Sequence, residues 1–322
     1  MRFTEHTLKA SDGVTLHFYA WAPDRAAPRA VIHIAHGLAE HATRYARVAE
    51  ALTRRGFVVY ANDHRGHGKG AGPSDRDLGV FAEEDGWNRV VRDLAELIEH
   101  ERGLHPDLPQ VLMGHSLGSI MVQQFLYEHE RNLAAVILSG TSGKPPAIAA
   151  LGRVIARVER LRQGKRGLSK IIDRMVFGEF NRPFEPARTP FDWLSRDEAE
   201  VDAYITDPYC GHMCSNQFWV DFLDAAPVLS RPDRQARIRK DLPIYIFAGE
   251  MDPLGKGDSV RGLVQSYRRV GIAKIDLELY PGGRHEMLNE TNRDQVTQNL
   301  ISWLDEVLPD ARPQEIEPAA AV

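Results

Sequence analysis

The sequence predicts an α/β fold in which a mostly parallel central sheet is covered by helices and interrupted by one inserted segment. Short apolar runs alternate with longer helix-like stretches along the 322 residues, which is the pattern of parallel strands joined by helices. Several runs are apolar on consecutive residues and end at Gly, Asp or Ser, as buried parallel strands do. The alternation stops near residue 142 and resumes near residue 242.

Seven strands and five helices are predicted from this alternation. The strand runs lie at 14–20, 30–35, 57–62, 110–114, 134–139, 243–248 and 275–280. The helix-like stretches lie at 44–55, 87–102, 117–130, 260–270 and 291–307. Gly56 and Gly271 each lie where one of these stretches ends, and glycine at that position terminates a helix.

The interruption at 142–241 contains eight prolines mixed with helix-like pieces and no clear strand. Predicted strands of one sheet flank it on both sides, which would not be the case for a tandem domain. We therefore predict a core formed by 1–141 and 242–309 and a mainly helical cap at 142–241, called the cap segment below. The tail at 310–322 is predicted to be disordered because it is polar and rich in Pro and Ala.

Composition excludes several classes of protein. A net charge of -5 gives no electrostatic reason to expect nucleic acid as a partner. Because the chain has no apolar run of roughly 18 residues and no signal-peptide pattern, we expect a soluble, cytoplasmic protein. Cys210 and Cys214 are too few for a disulfide framework, and a zinc site using His212 between them would need more ligands. We expect two ordinary thiols and no metal.

The pattern Gly114-His115-Ser116-Leu117-Gly118 lies between a predicted strand and a predicted helix. In this context Gly-x-Ser-x-Gly forms a sharp, strained turn that exposes the serine hydroxyl above the sheet edge, and the glycines avoid backbone collisions. The sequence therefore predicts Ser116 as a nucleophile. His115 is adjacent to it but should point away, so we assign His115 to the wall of the site.

A serine hydroxyl needs a histidine to remove its proton and an acid to orient that histidine. In this type of fold the chain order is Ser, acid, His. Asp252 follows a late predicted strand, and we prefer it to Glu250, which lies closer to the strand, and to Asp258, which we interpret as a helix-capping residue. His285 lies in a glycine-rich loop after the last predicted strand and is predicted to be the base.

An acyl-transfer site must also stabilise an oxyanion with backbone N–H groups. The amide of Leu117 directly follows the nucleophile and is one candidate. The second should come from the loop after an early strand, where we assign the amide of Leu38. These two donors complete a predicted serine hydrolase site that forms an acyl-enzyme on Ser116.

At these residues the sequence resembles the monoglyceride lipase and lysophospholipase branch of the α/β-hydrolases, also grouped as serine aminopeptidase-like hydrolases. The resemblance lies in residues 36–41 (His-Gly-Leu-Ala-Glu-His), 44–45 (Arg-Tyr), 63–68 (Asp-His-Arg-Gly-His-Gly), 114–118, 249–253 (Gly-Glu-Met-Asp-Pro) and 283–286 (Gly-Arg-His-Glu). These blocks span most of the core, whereas the cap segment carries no matching block.

The resemblance implies a substrate with one acyl chain under the cap and a small polar head near the 36–40 loop. Gly37, Glu40 and Arg44 are then candidates to contact the head, with an i,i+4 ion pair between Glu40 and Arg44 on a surface helix as the alternative. The 63–68 motif is interpreted as a structural turn. No cofactor is implied, since neither a nucleotide-binding phosphate loop nor a cluster of metal ligands occurs.

A basic amphipathic stretch lies within the cap segment. Leu151, Val154, Ile155, Val158 and Leu161 recur at helical spacing, and residues 144–174 hold nine Lys or Arg against two acids. One interpretation, which we prefer, packs the apolar stripe on the core and leaves a solvated basic face. The other is docking on an anionic lipid surface or capture of an anionic substrate.

The predicted function is therefore a serine carboxylic ester hydrolase acting on monoacylglycerol-like or other single-acyl esters. A lysophospholipase or a broad-specificity esterase, including one that accepts aliphatic polyesters, shares every catalytic residue. An aminopeptidase would need an anionic anchor for the substrate amine, which the basic stretch disfavours. An acyltransferase or a catalytically inactive binding protein on the same scaffold are the remaining alternatives.

Overall fold

A computed structural model describes residues 1–24, 27–72, 77–130, 132–254 and 257–308; the predicted disordered tail at 310–322 lies outside these residues. Eight strands form one sheet in the order β1-β2-β4-β3-β5-β6-β7-β8. Their bounds are β1 (Arg2–Lys9), β2 (Thr15–Ala22), β3 (Ala30–Ala35), β4 (Phe57–Asp63), β5 (Gln110–His115), β6 (Leu133–Ser139), β7 (Ile244–Gly249) and β8 (Ile275–Tyr280). Pairing is parallel from β4 to β8 and antiparallel for β1–β2 and β2–β4.

Ten α-helices lie in the described part of the chain. Those of the core are α1 (Ala46–Arg54), α2 (Gly86–Leu104), α3 (Leu117–Glu128), α9 (Asp258–Arg269) and α10 (Arg293–Val307). Those of the cap segment are α4 (Ala149–Gln163), α5 (Lys170–Phe177), α6 (Glu198–Thr206), α7 (Asn216–Leu229) and α8 (Pro232–Gln235). None of the described helices is long and apolar enough to cross a membrane.

All seven predicted strands and all five predicted core helices are present, with ends that differ by at most two residues. The strand that the sequence did not predict is β1, which is exposed along most of its length. Its sequence, Arg-Phe-Thr-Glu-His-Thr-Leu-Lys, has few apolar residues because β1 is an edge strand. Its register with β2, from Arg2 opposite Ala22 to Lys9 opposite Thr15, is a tertiary pairing that local sequence does not reveal.

Helices cover both faces of the sheet and bury it between two hydrophobic clusters. On one face, α1 and α10 contribute side chains such as Leu52 and Leu304. On the other, α2, α3 and α9 contribute side chains such as Leu94, Met121 and Tyr267. Because the central parallel strands are covered on both faces, their apolar residues run consecutively along the chain, which is the pattern that predicted them.

The cap segment enters and leaves through adjacent strands. β6 and β7 pair in parallel, with Val136 opposite Ile244, and the described chain between them holds helices and no strand. The described part of the cap segment is therefore helical and lies between two adjacent strands of the sheet. Helix α7 anchors the cap segment to the core: Phe218 is buried, and the ring of Phe222 lies 5.2 Å from that of Trp87 on α2.

The preferred interpretation of the amphipathic stretch is wrong for most of its residues. Of the five predicted stripe residues, only Ile155 packs against the core. The other four are between 53% and 84% exposed, and neighbouring apolar side chains are exposed as well. We call the following set the exposed apolar face: Ile148, Leu151, Val154, Val158, Leu161, Leu168 and Ile171.

The basic side chains of α4 and the loop after it are held by hydrogen bonds and ion pairs instead. Arg153 and Arg157 both contact the carboxylate of Asp224 on α7. Lys165 pairs with Glu84, and Arg166 with Asp77, so that the stretch is tied to the core across the cap boundary. The predicted packing is thus inverted. Ion pairs attach α4 to α7, and most of the apolar stripe of α4 faces outward.

Candidate active site

Ser116 lies at the turn between β5 and α3. Its φ of 50° and ψ of -119° form a strained conformation for a residue with a side chain. The flanking glycines are required by close approach: a Cβ at Gly114 would lie 2.6 Å from the Gly118 carbonyl oxygen, and one at Gly118 would lie 2.1 Å from the Ala35 carbonyl oxygen. The predicted sharp turn is therefore present, and it places the hydroxyl above the sheet edge.

The structure brings Ser116, His285 and Asp252 together. The distance from Ser116 Oγ to His285 Nε2 is 2.8 Å, and that from His285 Nδ1 to Asp252 Oδ2 is 2.9 Å. In the neutral tautomer, Nδ1–H donates to the carboxylate and Nε2 accepts from the serine hydroxyl. Such an arrangement can remove the serine proton and stabilise the imidazolium that forms.

Burial distinguishes Asp252 from Glu250 and Asp258, the two other candidates for the catalytic acid. Asp252 is fully buried, and its other oxygen accepts a hydrogen bond from the Leu254 amide at 2.9 Å. Glu250 is exposed. Asp258 is the first residue of α9, while the N-cap position belongs to Gly257, so the predicted capping role of Asp258 is wrong by one position.

The surroundings of His285 favour its charged form overall. Burial disfavours the imidazolium, but the carboxylate of Asp252, and with it the charges of Glu286 and Glu40, raises the pKa of His285 above its ordinary value of 6.5. The pKa of neighbouring His115 moves in the opposite direction, to about 4, because burial and the His285 charge both oppose its protonation. The two adjacent imidazoles therefore differ in basicity.

The loop at 36–40 carries the backbone amide of Leu38, a residue that lines the same cavity as Ser116. The Gly37 amide donates to Glu40 Oε1 at 2.5 Å, and the Ala39 amide donates to His67 Nε2 at 3.1 Å. The amide between them, that of Leu38, donates to no described protein atom. The Leu117 amide begins α3, where N–H groups have no partner within the helix.

Gly37 itself is required by space. A Cβ there would lie 3.1 Å from Ser116 Cβ and 2.6 Å from Glu40 Oε1. The loop can therefore approach the nucleophile this closely only with glycine at this position.

The 63–68 motif, called the core turn below, supports this loop, in agreement with its interpretation as structural. The Asp63 carboxylate accepts from the Ala42 amide at 2.9 Å, and His64 Nε2 donates to the His36 carbonyl at 3.1 Å. His67 accepts from the Ala39 amide as described above. The sequence did not predict these contacts, because the core turn and the loop are 28 residues apart.

Glu40 and Arg44 form a buried ion-pair network with Glu286, the residue after His285. Arg44 donates to Glu40 at 2.7 Å and to both oxygens of Glu286 at 2.7 and 2.8 Å. Burial opposes ionisation of Glu286, but the Arg44 charge outweighs it and lowers the pKa of Glu286 to about 2. The alternative i,i+4 pair is therefore present, but it is buried, and it links the loop at 36–40 to the His285 loop.

A cavity of about 480 Å³ opens above Ser116 and is walled on its far side by the cap segment. Gly37, Glu40 and His115 line it, whereas Arg44 is not among its lining residues. The sequence did not identify the aromatic wall that the cap segment supplies. It consists of Phe177, Phe180, Phe191, Trp193, Tyr204, Phe218, Trp219 and Phe222.

The cap segment also holds the His285 loop in place. The carbonyls of Trp193 and Leu194 accept hydrogen bonds from the amides of His285 and Glu286, at 3.3 and 2.8 Å. The Trp193 ring lies 5.1 Å from the His285 ring. Core and cap segment thus build the site together.

Comparison with known proteins agrees with this geometry. A sequence model of the family described as "Serine aminopeptidase, S33" matches residues 26–292. A monoacylglycerol lipase from Mycolicibacterium smegmatis is 30% identical over 315 residues, which cover 94% of this chain and 96% of that protein. The human monoglyceride lipase is 28% identical, and the alignment covers 87% of this chain and 82% of the human protein.

Among solved structures, a thermostable carboxyl esterase from Bacillus coagulans in complex with glycerol superposes with a TM-score of 0.87 at 27% identity. The superposition covers 96% of this chain and 99% of the esterase. The matched family region spans most of the chain, including Ser116, Asp252 and His285. The chain therefore belongs to the serine aminopeptidase S33 family, in the monoglyceride lipase branch of the α/β-hydrolases.

Proposed function

We propose that this protein is a serine carboxylic ester hydrolase that acts on monoacylglycerol-like, single-acyl esters. The observation that carries the proposal is the continuous hydrogen-bonded series from Ser116 through His285 to Asp252, at 2.8 and 2.9 Å, at the floor of an apolar cavity. Relatives named as monoacylglycerol lipases and a carboxyl esterase support the substrate class.

In this proposal Ser116 Oγ attacks the ester carbonyl while His285 Nε2 takes its proton. His285 then returns the proton to the departing alcohol, which leaves an acyl-enzyme on Ser116. Water, deprotonated by the same imidazole, releases the fatty acid. Asp252 fixes the His285 tautomer, and the amides of Leu38 and Leu117 stabilise the oxyanion of each tetrahedral intermediate.

The charges that line the cavity favour a neutral head group. Its lining includes the carboxylates of Glu40, Glu286 and Asp173 and the guanidinium of Arg174. Because Arg44 pairs with Glu40 and Glu286, three carboxylates are balanced by two guanidinium groups. Glycerol can donate hydroxyl hydrogens to these carboxylates, whereas the phosphate of a lysophospholipid would be repelled by them. We place the head near Gly37, Glu40 and His115, and the acyl chain along the aromatic wall. Arg44 acts on the head only indirectly, through Glu40.

A substrate panel tests this assignment. Monoacylglycerols, lysophospholipids, short aryl esters, aliphatic polyesters and aminoacyl amides would be compared by kcat/KM, with covalent labelling by a fluorophosphonate probe as an independent readout. We expect labelling of the wild type, none of Ser116→Ala, and the highest kcat/KM for monoacylglycerols. An unlabelled wild type would overturn the enzyme assignment, and a preference for lysophospholipids or amides would overturn the substrate class.

We also propose that the cap segment contacts lipid surfaces peripherally, through the exposed apolar face. Seven large apolar side chains on α4, α5 and the adjoining loops face outward, and burying such a face in an interface releases water from it. The basic residues are less available for anionic lipid than the sequence suggested, since Arg153, Arg157, Lys165 and Arg166 have protein partners. Insertion of apolar side chains, rather than charge, should therefore dominate binding.

Vesicle sedimentation distinguishes binding by insertion of apolar side chains from binding by electrostatic attraction to anionic lipid. We expect the wild type to sediment with neutral phosphatidylcholine vesicles and only somewhat better with anionic ones, and Leu161→Ser with Val158→Ser to weaken both. Leu104→Ser is a matched control, because Leu104 is 54% exposed on α2, outside the cap segment. Sedimentation with anionic vesicles alone would restore the electrostatic mode, and no sedimentation with either would end the proposal.

A further inference from the structure

Three side chains of the kind that bind metal ions lie close together beside the active-site cavity, two from the cap segment and one from the core. His212 and Cys214 lie in the loop before α7, and His67 lies in the core turn, 145 and 147 positions earlier in the chain. Their ligand atoms all lie within 4.8 Å of one another. In the sequence, Cys210, His212 and Cys214 are too few ligands for a zinc site. The fold brings His67 beside His212 and Cys214 as an additional ligand.

In both imidazoles, a hydrogen bond at Nδ1 determines which ring nitrogen carries the lone pair. His67 Nδ1 donates to the Arg65 carbonyl at 3.0 Å, and His212 Nδ1 donates to the Tyr209 carbonyl at 3.2 Å. Each ring therefore presents a lone pair on Nε2. A carbonyl that fixes the tautomer in this way is the usual outer-shell partner of a metal-binding histidine.

The lone pair of His212 has no protein partner. Its Nε2 is buried and lacks a hydrogen-bond partner among the described residues. Buried polar atoms are normally paired, so an unpartnered one needs an explanation. Burial also lowers the pKa of His212 to about 4 and that of His67 well below 6.5, so both rings are neutral and able to ligate near neutral pH.

A second group of similar composition does not have this property. His41, Asp207 and Cys210 also lie within 4.8 Å of one another. However, His41 Nε2 is hydrogen-bonded to Asp207 at 2.8 Å, and its Nδ1 to Thr43 Oγ1 at 2.9 Å. Both nitrogens of the only imidazole in that group are occupied, whereas the group with His67 includes His212, whose Nε2 has no partner among the described residues.

We propose that His67 Nε2, His212 Nε2 and Cys214 Sγ form a binding site for a thiophilic divalent cation such as Zn²⁺. Zinc bonds to nitrogen and sulfur are about 2.0–2.3 Å long, so the donor atoms must approach one another by roughly 1 Å. Binding replaces the thiol proton of Cys214, which is released to solvent, and leaves a fourth coordination position for water.

The cation would act on the proposed oxyanion loop through His67. To coordinate the cation, His67 Nε2 must use the lone pair that now accepts a hydrogen bond from the Ala39 amide at 3.1 Å. Ala39 has a strained positive φ of 54° and follows Leu38 directly. Loss of this hydrogen bond would release the loop next to the Leu38 amide, so the bound cation should inhibit hydrolysis reversibly. This consequence rests on the proposed function, whereas cation binding itself does not.

Cobalt titration of the metal-free full-length chain tests binding without reference to activity. Co²⁺ bound to a thiolate gives a charge-transfer absorption band that oxygen and nitrogen ligands do not give. We expect one equivalent of Co²⁺ to produce this band in the wild type, and Zn²⁺ to displace it. Cys214→Ser should abolish the band, and His212→Ala should weaken cobalt binding by at least about tenfold.

Cys210→Ser is the matched control, because Cys210 is the other free thiol and belongs to the second group. It should bind Co²⁺ as the wild type does, and circular dichroism would verify the folding of each variant. No thiolate band in the wild type would overturn the proposal. A band that survives in Cys214→Ser, or that is lost in Cys210→Ser, would also overturn it.

Hydrolysis of a soluble aryl ester gives the second readout. Zn²⁺ should lower the rate for the wild type and Cys210→Ser, a chelator should restore it, and Cys214→Ser should keep its rate. Equal inhibition of all three proteins would place the inhibitory ion elsewhere, such as at His285, and would overturn the link to the oxyanion loop. A wild type that binds Co²⁺ but hydrolyses no ester would instead refute only the proposed function.

Discussion

The two sides of the active-site cavity are constructed differently. On the core side, buried polar groups with multiple hydrogen bonds hold each functional atom, as Asp252 and Glu40 do. On the cap side, aromatic rings form the wall, and half-exposed ion pairs such as Arg157–Asp224 attach α4. The core therefore fixes atomic positions for chemistry, while the cap segment supplies apolar surface, and its helix α4 is held by half-exposed ion pairs.

This difference has an energetic reason. Removing one partner from a buried ion pair leaves an uncompensated charge in a poorly solvated site and costs several kcal/mol. Removing one partner from an exposed pair costs little, because water replaces it. Substitutions on the core side should therefore change rate or stability strongly, and matched substitutions on the cap side should change them weakly.

The largest effect is expected for Ser116→Ala. It removes the nucleophile without creating a large void, so kcat should fall by about 10⁶-fold while the melting temperature stays close to that of the wild type. Steady-state hydrolysis of a soluble aryl ester and thermal unfolding would measure the two quantities. A Ser116→Ala protein that retains substantial activity would show that another residue is the nucleophile.

Asp252→Asn should lower kcat by about 10⁴-fold, because an amide no longer selects the His285 tautomer with its proton on Nδ1. The same assay at saturating substrate measures this loss. Glu250→Gln is the control: Glu250 is exposed two residues away, and its variant should keep wild-type activity. Comparable losses for both variants would contradict the assignment of Asp252 as the acid.

Arg44→Met should destabilise the fold by about 3–5 kcal/mol, because Glu40 and Glu286 would remain buried without a counter-charge. Both carboxylates already raise the pKa of His285. Their uncompensated charge should raise it further, so the neutral base would form only at higher pH. Urea unfolding and the pH profile of kcat/KM would measure the two effects.

For the wild type, the activity lost on acidification should have its midpoint above pH 6.5, the ordinary pKa of histidine, and in Arg44→Met this midpoint should move to higher pH. Arg54→Met is the control on the adjoining helix α1, since Arg54 and Glu50 form an exposed i,i+4 pair; it should cost at most about 0.5 kcal/mol. An unchanged pH profile in Arg44→Met would refute the electrostatic link to His285.

The smallest effect is expected on the cap side. Asp224→Asn removes the partner of Arg153 and Arg157, and all three side chains are more than a third exposed. After allowance for solvent screening the loss should be about 1 kcal/mol or less and should shrink at high salt, with kcat unchanged. A loss as large as that of Arg44→Met would show that the cap segment is held as tightly as the core.

Sequence reasoning succeeded where local pattern and tertiary role coincide. The strand before Ser116, the helix after it and the order of Asp252 and His285 were all predicted, because buried parallel strands and the strained serine turn leave strong local signatures. It failed for β1, which is a polar edge strand whose identity depends on pairing with β2. It also predicted the wrong orientation for α4, because an amphipathic pattern does not specify which face of a helix is turned toward the protein.

By itself, then, the sequence determined the α/β class, the nucleophile turn and the residues able to perform acyl transfer, because each is marked by a pattern within a short stretch of chain. Only the tertiary structure decided the partners of those residues. It joined Arg44 to Glu286, 242 positions later, brought His67 beside His212 with ring centres 4.9 Å apart, and left the apolar side of α4 in solvent. Such contacts depend on how distant elements pack, and no local pattern encodes that packing.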